Sequence, residues 1–266
     1  MHCIRVDRPA DWPECHLYGI ADLHMEDPNN NYRRCAQVVD QIKKDPYAVC
    51  VLNGDIMNTA TKTGKSDMYS EKGSPDQGED DAVGLFMPIK DKIIGISPGN
   101  HELRIWEASG VDTTRNLARR LGVEDYYHRD GVLVFLRFGT SGMHSSRNRP
   151  QWFSIYATHG RGGGRKTGAK ANRLEDMTAI VDADVYIHSH THQAITFPLS
   201  RFRISASNST AEQVDCLCMN TCATVDYGGY AQQCEYRPAS RQFPVALLYP
   251  NPKMAVGMTD YYPIRA

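Results

Sequence analysis

The 266-residue chain predicts an α/β fold with a more β-rich C-terminal part. Two observations carry that expectation. Short apolar runs of strand length alternate with segments whose apolar residues recur at helical spacing. From about residue 193 onward the chain reads mainly as strands and turns. The composition agrees: 41% hydrophobic, 23% charged and 9% aromatic residues are enough to bury a core without disulfide staples and argue against disorder.

In order, 16–21 (HLYGIA) reads as a strand that ends at Asp22. Cys35, Val38, Val39 and Ile42 stand at i, i+3, i+4 and i+7, which predicts a helix over 32–44. The run 47–52 (YAVCVL) is a buried strand leading into Asn53-Gly54-Asp55. The polar, glycine- and lysine-rich stretch 57–81 reads as a loop insertion. Its Gly64-Lys65-Ser66 resembles the end of a phosphate-binding loop, but Thr59 stands where that motif needs glycine, so the motif is rejected. A helix over 82–92 and a strand over 92–97 (KIIGIS) follow, ending at Pro98-Gly99-Asn100-His101. Helical patterns cover 101–108 and 112–121, and strands 132–138 and 153–158. The latter ends at His159 and a glycine-rich loop. A helix is expected at 169–182, with Leu174, Met177 and Ile180 on one face. A strand at 183–187 runs into His188-Ser189-His190-Thr191-His192. Further strands are expected at 195–204, 243–249 and 254–258. No repeat or linker divides the chain, so 1–266 is read as one domain with the 57–81 insertion.

Thirty Lys+Arg against 31 Asp+Glu leave a formal charge of −1, which disfavours a bulk electrostatic coat for nucleic acid. No run approaches the ~18 apolar residues of a membrane span, and the opening MHCIRVDRPADWPEC lacks a signal-peptide core. A cytoplasmic protein with no membrane partner is the expectation. Eight cysteines then read as reduced thiols. Cys216, Cys218, Cys222 and Cys234 would suffice for a zinc, but C-x-C-x3-C is not the paired C-x2-C knuckle, and half-buried thiols are the simpler reading.

The chemistry gathers at strand ends. Asp22-x-His24, Asp55, Asn100-His101, His159 and His190-x-His192 each follow a strand, where α/β sheets build their sites. If the ends converge, two carboxylates, one amide and five imidazoles meet. That exceeds the needs of one metal and suits two ions bridged by a carboxylate, with a shared water deprotonated near neutral pH as nucleophile.

With these blocks in order, the sequence resembles the calcineurin-like metallophosphoesterase superfamily: Asp22-Leu23-His24, Gly54-Asp55, Gly99-Asn100-His101-Glu102, Thr158-His159-Gly160 and Ser189-His190-Thr191-His192. The resemblance implies a two-sheet αββα sandwich with two divalent ions (Mn, Fe, Zn or Ni, with Mn favoured). Asp22, His24 and His192 would hold the first ion and Asn100, His159 and His190 the second, with Asp55 bridging and His101 as the acid. Three departures matter. Ser189 replaces a glycine, which also leaves a His188/His190 register open. Asn58 and Thr59 replace the Asp-Arg of the protein phosphatase branch, and Pro98 replaces its Arg, so that branch is disfavoured.

The stretch HGRGGGRKTGAKANRLE carries Arg161, Arg165, Lys166, Lys170 and Arg173 beside His159, and its glycines let the backbone approach an anion. Arg161, Arg165 and Lys166, with Arg104 one helical turn after His101, are the expected phosphate contacts. This glycine-rich stretch resembles phage and prophage members of the superfamily. Tyr227, Tyr230, Tyr261 and Tyr262 could stack on a base, but no basic residues interleave them, which favours packing. The expected activity is phosphodiester hydrolysis of a nucleotide or nucleic acid, a nuclease included. The alternatives are a small-molecule phosphomonoesterase or a non-catalytic metal-binding scaffold. The sequence does not set the oligomeric state.

Overall fold

The computed structural model describes residues 3–62, 67–139, 150–162 and 164–258; Gly64-Lys65-Ser66, Gly163, Tyr261 and Tyr262 lie outside them. The elements in chain order are β1 (Cys3–Arg8), β2 (Cys15–Ile20), α1 (Tyr32–Lys44), β3 (Ala48–Asn53), α2 (Pro75–Phe86), a 3-10 segment (Met87–Lys92), β4 (Ile93–Ser97) and α3 (Asn100–Ser109). They continue with α4 (Thr113–Leu121), a 3-10 turn (Glu124–Tyr126), β5 (Val132–Phe138), β6 (Gln151–Thr158), α5 (Thr167–Met177), β7 (Val185–His188) and β8 (Ile195–Ser205). Last come β9 (Thr210–Asn220), α6 (Gly229–Gln233), β10 (Val245–Pro250) and β11 (Lys253–Met258).

The strands form two sheets, one ordered β1-β5-β6-β7-β9-β8 and the other β11-β10-β2-β3-β4. Alternation along each strand makes them a sandwich. Leu17, Val49, Val51 and Ile94 point into an inter-sheet core with Val134, Ile155, Val185 and Met219. Their sequence neighbours Tyr18, Cys50 and Ile93 point the other way, onto Val38, Ile42, Leu85, Phe86 and Leu117 of α1, α2 and α4. The outer face of the larger sheet packs Tyr156, Tyr186, Cys216 and Cys218 against Leu174 and Met177 of α5. The result is the expected mixed α/β sandwich, helices outside and sheets within.

Several boundaries differ from the sequence expectation. The 57–81 insertion is not loop throughout, because α2 begins at Pro75. Ser74 caps it by accepting from Gln77 N (3.2 Å), Pro75 sits where no amide hydrogen is needed, and Asp76 faces the helix dipole. The helix expected to run to residue 92 gives way after Phe86 to 3-10 geometry around Pro88, which has no amide to donate. Helix α5 ends at Met177, so Ile180, assigned to its apolar face, is 61% exposed. Strands β1 and β9 went unseen. The first buries only Ile4 and Val6, and half of the second is exposed hairpin.

What this architecture does for function is bring strand ends together. β2, β3 and β4 run parallel in one sheet, as do β6 and β7 in the other. The sheets are tied where β3 and β6 end: Asn53 Nδ2 donates to Thr158 O (2.9 Å) and to Ser189 Oγ (2.7 Å).

Candidate metal centre

The loops leaving these strands have an unusual backbone. Asp22, His24, Asp55, His190 and His192 all lie in the left-handed region, with φ between 51° and 66°. Non-glycine residues rarely sit there, at roughly 1–3 kcal/mol each, so something must hold them. The amides of Asp22, Leu23, His24 and Met25 form a ladder onto the carbonyls of Gly54, Asp55 and Ile56 at 2.9–3.1 Å. Gly99 packs so close that a Cβ there would lie 2.1 Å from Asp55 Oδ1. The buried Glu102 gathers three amides, those of Asp55 (2.9 Å), Met57 (3.0 Å) and Gly99 (2.8 Å). Burial and the Asp55 charge push its carboxyl up to about 7.

Three overlapping sets of ligand atoms converge within 4.8 Å: Asp22, His24 and His192; His24, Asp55 and His101; Asp55, His159 and His190. His159 Nε2 stands 3.1 Å from Asp55 Oδ2, and His192 Nε2 stands 3.3 Å from Asp22 Oδ1. Asp22 Oδ2 accepts from His190 N (3.1 Å). Burial works to raise Asp22 and Asp55, but the positive field of the imidazoles outweighs it, His192 acting first on Asp22 and His159 first on Asp55. In return the carboxylates raise His192 and lift His159 to about 10 against the burial that would lower both. Two buried carboxylates here draw positive charge from whatever is adjacent.

The donor set fits divalent ions. Asp22 Oδ1, His24 Nε2, Asn100 Oδ1 and His159 Nε2 are buried with no hydrogen-bond partner among the described residues. Buried polar atoms are normally hydrogen-bonded; here His159 Nε2 and Asp22 Oδ1 have only ion-pair neighbours, at 3.1 and 3.3 Å, and four ligand-type atoms without hydrogen bonds point to a cation. Mixed carboxylate, amide and imidazole donors suit Mn, Fe, Zn or Ni. The histidine tautomers fit as well. Nδ1 of His159 donates to Asn53 O (2.7 Å), that of His101 to Asn58 O (2.9 Å) and that of His24 to Asn58 Oδ1 (3.2 Å). In each case Nε2 is left facing inward.

The sequence reading treated Asn58 only as a departure from another branch; the structure makes it a hub between His24 and His101. Its own amide donates to Glu26 Oε2 (2.6 Å), and its Nδ2 donates to Glu71 Oε1 (2.6 Å). Glu71 is pushed up to about 7 by burial and by the charges of Asp27, Glu26 and Asp67. Thr59, also at positive φ, donates from Oγ1 to His101 O (2.5 Å). The available signal was a carboxamide three residues after a bridging Asp.

Other candidates separate. Ser189 needs no positive φ, and its hydroxyl receives Asn53. His188 turns away: its Nδ1 pairs with Asn220 Oδ1 (3.0 Å), and it joins none of the three converging sets. No cysteine joins them either. Cys216, Cys218 and Cys222 are buried, and Cys234 follows α6. Arg161 lines an open cleft of ≈ 320 Å³ with Asn100, Leu103, Glu107, Gly162 and His190. Arg104 is half-buried on α3, where its charge depresses His101 and is felt from Asp55. Lys166 precedes α5, and Lys170 donates to Thr191 O (2.8 Å) between two ligand histidines. Arg165 turns from the cleft to lie over the Tyr236 ring (5.5 Å), which is 6.0 Å from Tyr230. The tyrosines therefore do have a basic neighbour in space, and Tyr227, Tyr230 and Tyr236 are exposed rather than packed.

These features accord with the matches to known proteins. The chain belongs to the calcineurin-like phosphoesterase family, whose family model matches residues 16–194. These are metal-dependent phosphoester hydrolases. Similar solved structures include a conserved predicted phosphoesterase from Streptococcus pneumoniae TIGR4, at 12% identity over 92% of this chain and 98% of that one, TM-score 0.34. They also include Vps29 from Entamoeba histolytica complexed with zinc, at 9% identity over 91% and 97% of the chains, TM-score 0.35. A double mutant of that Vps29 matches at 9% identity over 92% and 98%, TM-score 0.37. No curated protein matches the chain.

Proposed function

We propose that the protein is a two-metal phosphodiesterase acting on a nucleotide or nucleic acid, with manganese as the favoured metal. The observation that carries the metal reading is three converging groups, linked through His24 and Asp55, that contain three buried ligand atoms without hydrogen bonds, Asp22 Oδ1, His24 Nε2 and His159 Nε2. Asp22, His24 and His192 would hold one ion and Asn100, His159 and His190 the other, with Asp55 shared between them. Two bound divalent ions supply Lewis acidity and an activated water.

The chain's own residues do the rest. Asp55 Oδ1 accepts from His101 N (2.8 Å), which keeps the bridging carboxylate and the acid in one frame. His101 offers Nε2 to the leaving oxygen because its Nδ1 is committed to Asn58 O. Burial holds His101 down to about 3, with His24 and Arg104 adding to the effect and Asp55 opposing it. Arg161 takes the phosphate oxygens from the cleft side, and Arg104, half-buried within reach of the Asp55 field, is the second candidate contact. The preference for a nucleotide rests on Arg165 with Tyr236 and Tyr230, which lie outside the cleft lining and combine a cation with stacking faces. The glycine-rich run supports placement with phage and prophage members. The core shared by both sheets supports one domain, and no described helix is long and apolar enough to cross a membrane.

The test compares hydrolysis of bis-p-nitrophenyl phosphate and p-nitrophenyl phosphate in Mn²⁺. The diester should be preferred, and His159→Ala should abolish turnover. Preference for the monoester would overturn the diester assignment. Hydrolysis of neither ester by metal-loaded protein would overturn the enzyme reading.

A further inference from the structure

We propose that Glu71, in the segment between β3 and α2, is a positioning residue of the metal centre: it sets the direction of the Asn58 carboxamide, and through it leaves His24 Nε2 free to hold an ion. The inference rests on the reading of Asp22, His24 and His192 as a metal position.

The carboxamide of Asn58 sits between two partners. Its Nδ2 meets Glu71 Oε1 at 2.6 Å and its Oδ1 meets His24 Nδ1 at 3.2 Å. A carboxamide has nearly the same shape when flipped, so sterics do not choose its direction. The rest of Asn58 cannot choose it either, because its backbone is pinned independently. The amide donates to Glu26 Oε2 (2.6 Å), and the carbonyl receives His101 Nδ1 (2.9 Å). Glu26 is fixed in turn, accepting from Thr59 N (3.4 Å) with Gly78 packed against it.

The one partner that distinguishes the two ends of the amide is Glu71. An ionised carboxylate only accepts, so it takes the NH₂ end and turns the oxygen toward His24. His24 can answer that oxygen only by donating from Nδ1. Its proton is then on Nδ1, and Nε2, the buried atom without a partner, keeps its lone pair. If the amide reversed, its NH₂ would face His24 Nδ1, the imidazole proton would move to Nε2, and the ligand atom would be blocked. A segment that looks like a surface insertion thereby reaches the metal centre through a single directional hydrogen-bond chain.

The test is calorimetric titration of metal-free protein with Mn²⁺ at pH 8, where Glu71 is largely ionised. Glu71→Gln keeps the volume but can donate or accept, so it no longer selects an amide direction. Its affinity for one of two Mn²⁺ ions should fall by roughly 10–100-fold, the usual cost of losing a partner behind a metal ligand. Asn58→Asp offers an oxygen to His24 whichever way it turns. In that background Glu71→Gln should therefore cost little, the double variant binding within roughly three-fold of Asn58→Asp alone. Nitrogen NMR of the imidazoles should show His24 protonated on Nδ1 in the wild type and as a tautomer mixture in Glu71→Gln.

Wild-type Mn²⁺ affinity in Glu71→Gln would overturn the proposal. So would an equal loss in both backgrounds, which would mark Glu71 as merely structural. Failure of the wild type to take up two Mn²⁺ would overturn the metal-centre reading itself, a different result from a wild type that binds two ions and a variant that matches it.

Discussion

Strand β2 carries the same side-chain chemistry at both ends and uses it in opposite ways. At its start, His16 Nδ1 pairs with Asp45 Oδ2 at 2.7 Å, and Tyr18 donates to the same oxygen at 3.0 Å. Asp45 Oδ1 accepts from Tyr47 N (3.0 Å), and its backbone carbonyl receives the Lys92 ammonium. Just past its other end, Asp22 and His24 sit on left-handed backbone, and Asp22 Oδ1 and His24 Nε2 make no hydrogen bond among the described residues, although His192 Nε2 stands 3.3 Å from Asp22 Oδ1. Both ends are buried. One spends its polar groups on each other in hydrogen bonds and so stabilises the fold; the other gathers charges at ion-pair distance and leaves ligand atoms without hydrogen bonds. Satisfaction, rather than burial or residue type, separates structural from functional polar clusters here.

The most forceful way to break this contrast is to remove the bridging carboxylate. Asp55→Ala should lower diester turnover by roughly 10³-fold or more, the scale of losing a group that acts on developing charge, and should leave fewer than two Mn²⁺ per chain by elemental analysis. In metal-free protein it also takes the partner from His159 Nε2 (3.1 Å) and from His101 N (2.8 Å), so the melting temperature should fall. Full Mn²⁺ uptake by Asp55→Ala would break the contrast.

A second change attacks the frame that keeps the site strained. In Gly99→Ala the new methyl would sit 2.1 Å from Asp55 Oδ1 and 2.4 Å from Asp55 N, so the loops after β3 and β4 must part. The expected cost is about 1–3 kcal/mol of stability, as for overpacking elsewhere, read from urea melts. Turnover and Mn²⁺ uptake should fall together.

This division also explains what could be read in advance. The candidate ligands could be named in advance because each stands a few residues beyond an apolar run, and apolar runs are what a sequence displays best. The αββα layering came from the family resemblance, and the alternation of Leu17 with Tyr18 or Val49 with Cys50 gives its physical basis. Residues whose role is set by three-dimensional partners were not legible. Asn58 and Glu71 are separated by 13 positions in polar sequence with no periodicity. Strand β9 was lost because its first half is exposed, and the start of α2 was lost because a Ser-Pro cap inside a polar stretch looks like more loop. The contact of Arg165 with Tyr236 was not legible because the two are far apart in sequence and adjacent only in space.

The Arg165–Tyr236 contact tests how far the functional end extends. Tyr236→Ala should raise KM for a dinucleotide substrate by roughly ten-fold, since base–aromatic stacking contributes about 1–3 kcal/mol. It should leave bis-p-nitrophenyl phosphate hydrolysis close to wild type. Equal effects on both substrates would place Tyr236 in the framework and shrink the functional surface to the cleft with Arg161.

The smallest expected effect lies at the opposite end, and its sign is set by the His16–Asp45 pair. Burial would lower His16, but the hydrogen bond and charge of Asp45, with Glu14 at 3.3 Å, raise it above 6.5. Stability from that raised value is fully present below pH 6.5 and is lost as pH rises through the folded-state value. Asp45 behaves conversely: burial would raise it, but His16 and the Tyr47 amide hold it below 3.8. Its share is present above pH 3.8 and is lost as pH falls through its own lowered value. The pair is therefore at full strength between about pH 4 and 6.5. His16→Gln should cost on the order of 1 kcal/mol at pH 6, and the gap to wild type should narrow toward pH 9. Urea melts at the two pH values read this directly, and in metal-free Asp55→Ala the same narrowing should appear unchanged, because Asp45 pairs with His16 at one end and Asp22 with His190 N at the other. A gap that widens with pH would mean that His16 is held neutral in the folded protein, and the satisfied end would need a different explanation from charge pairing.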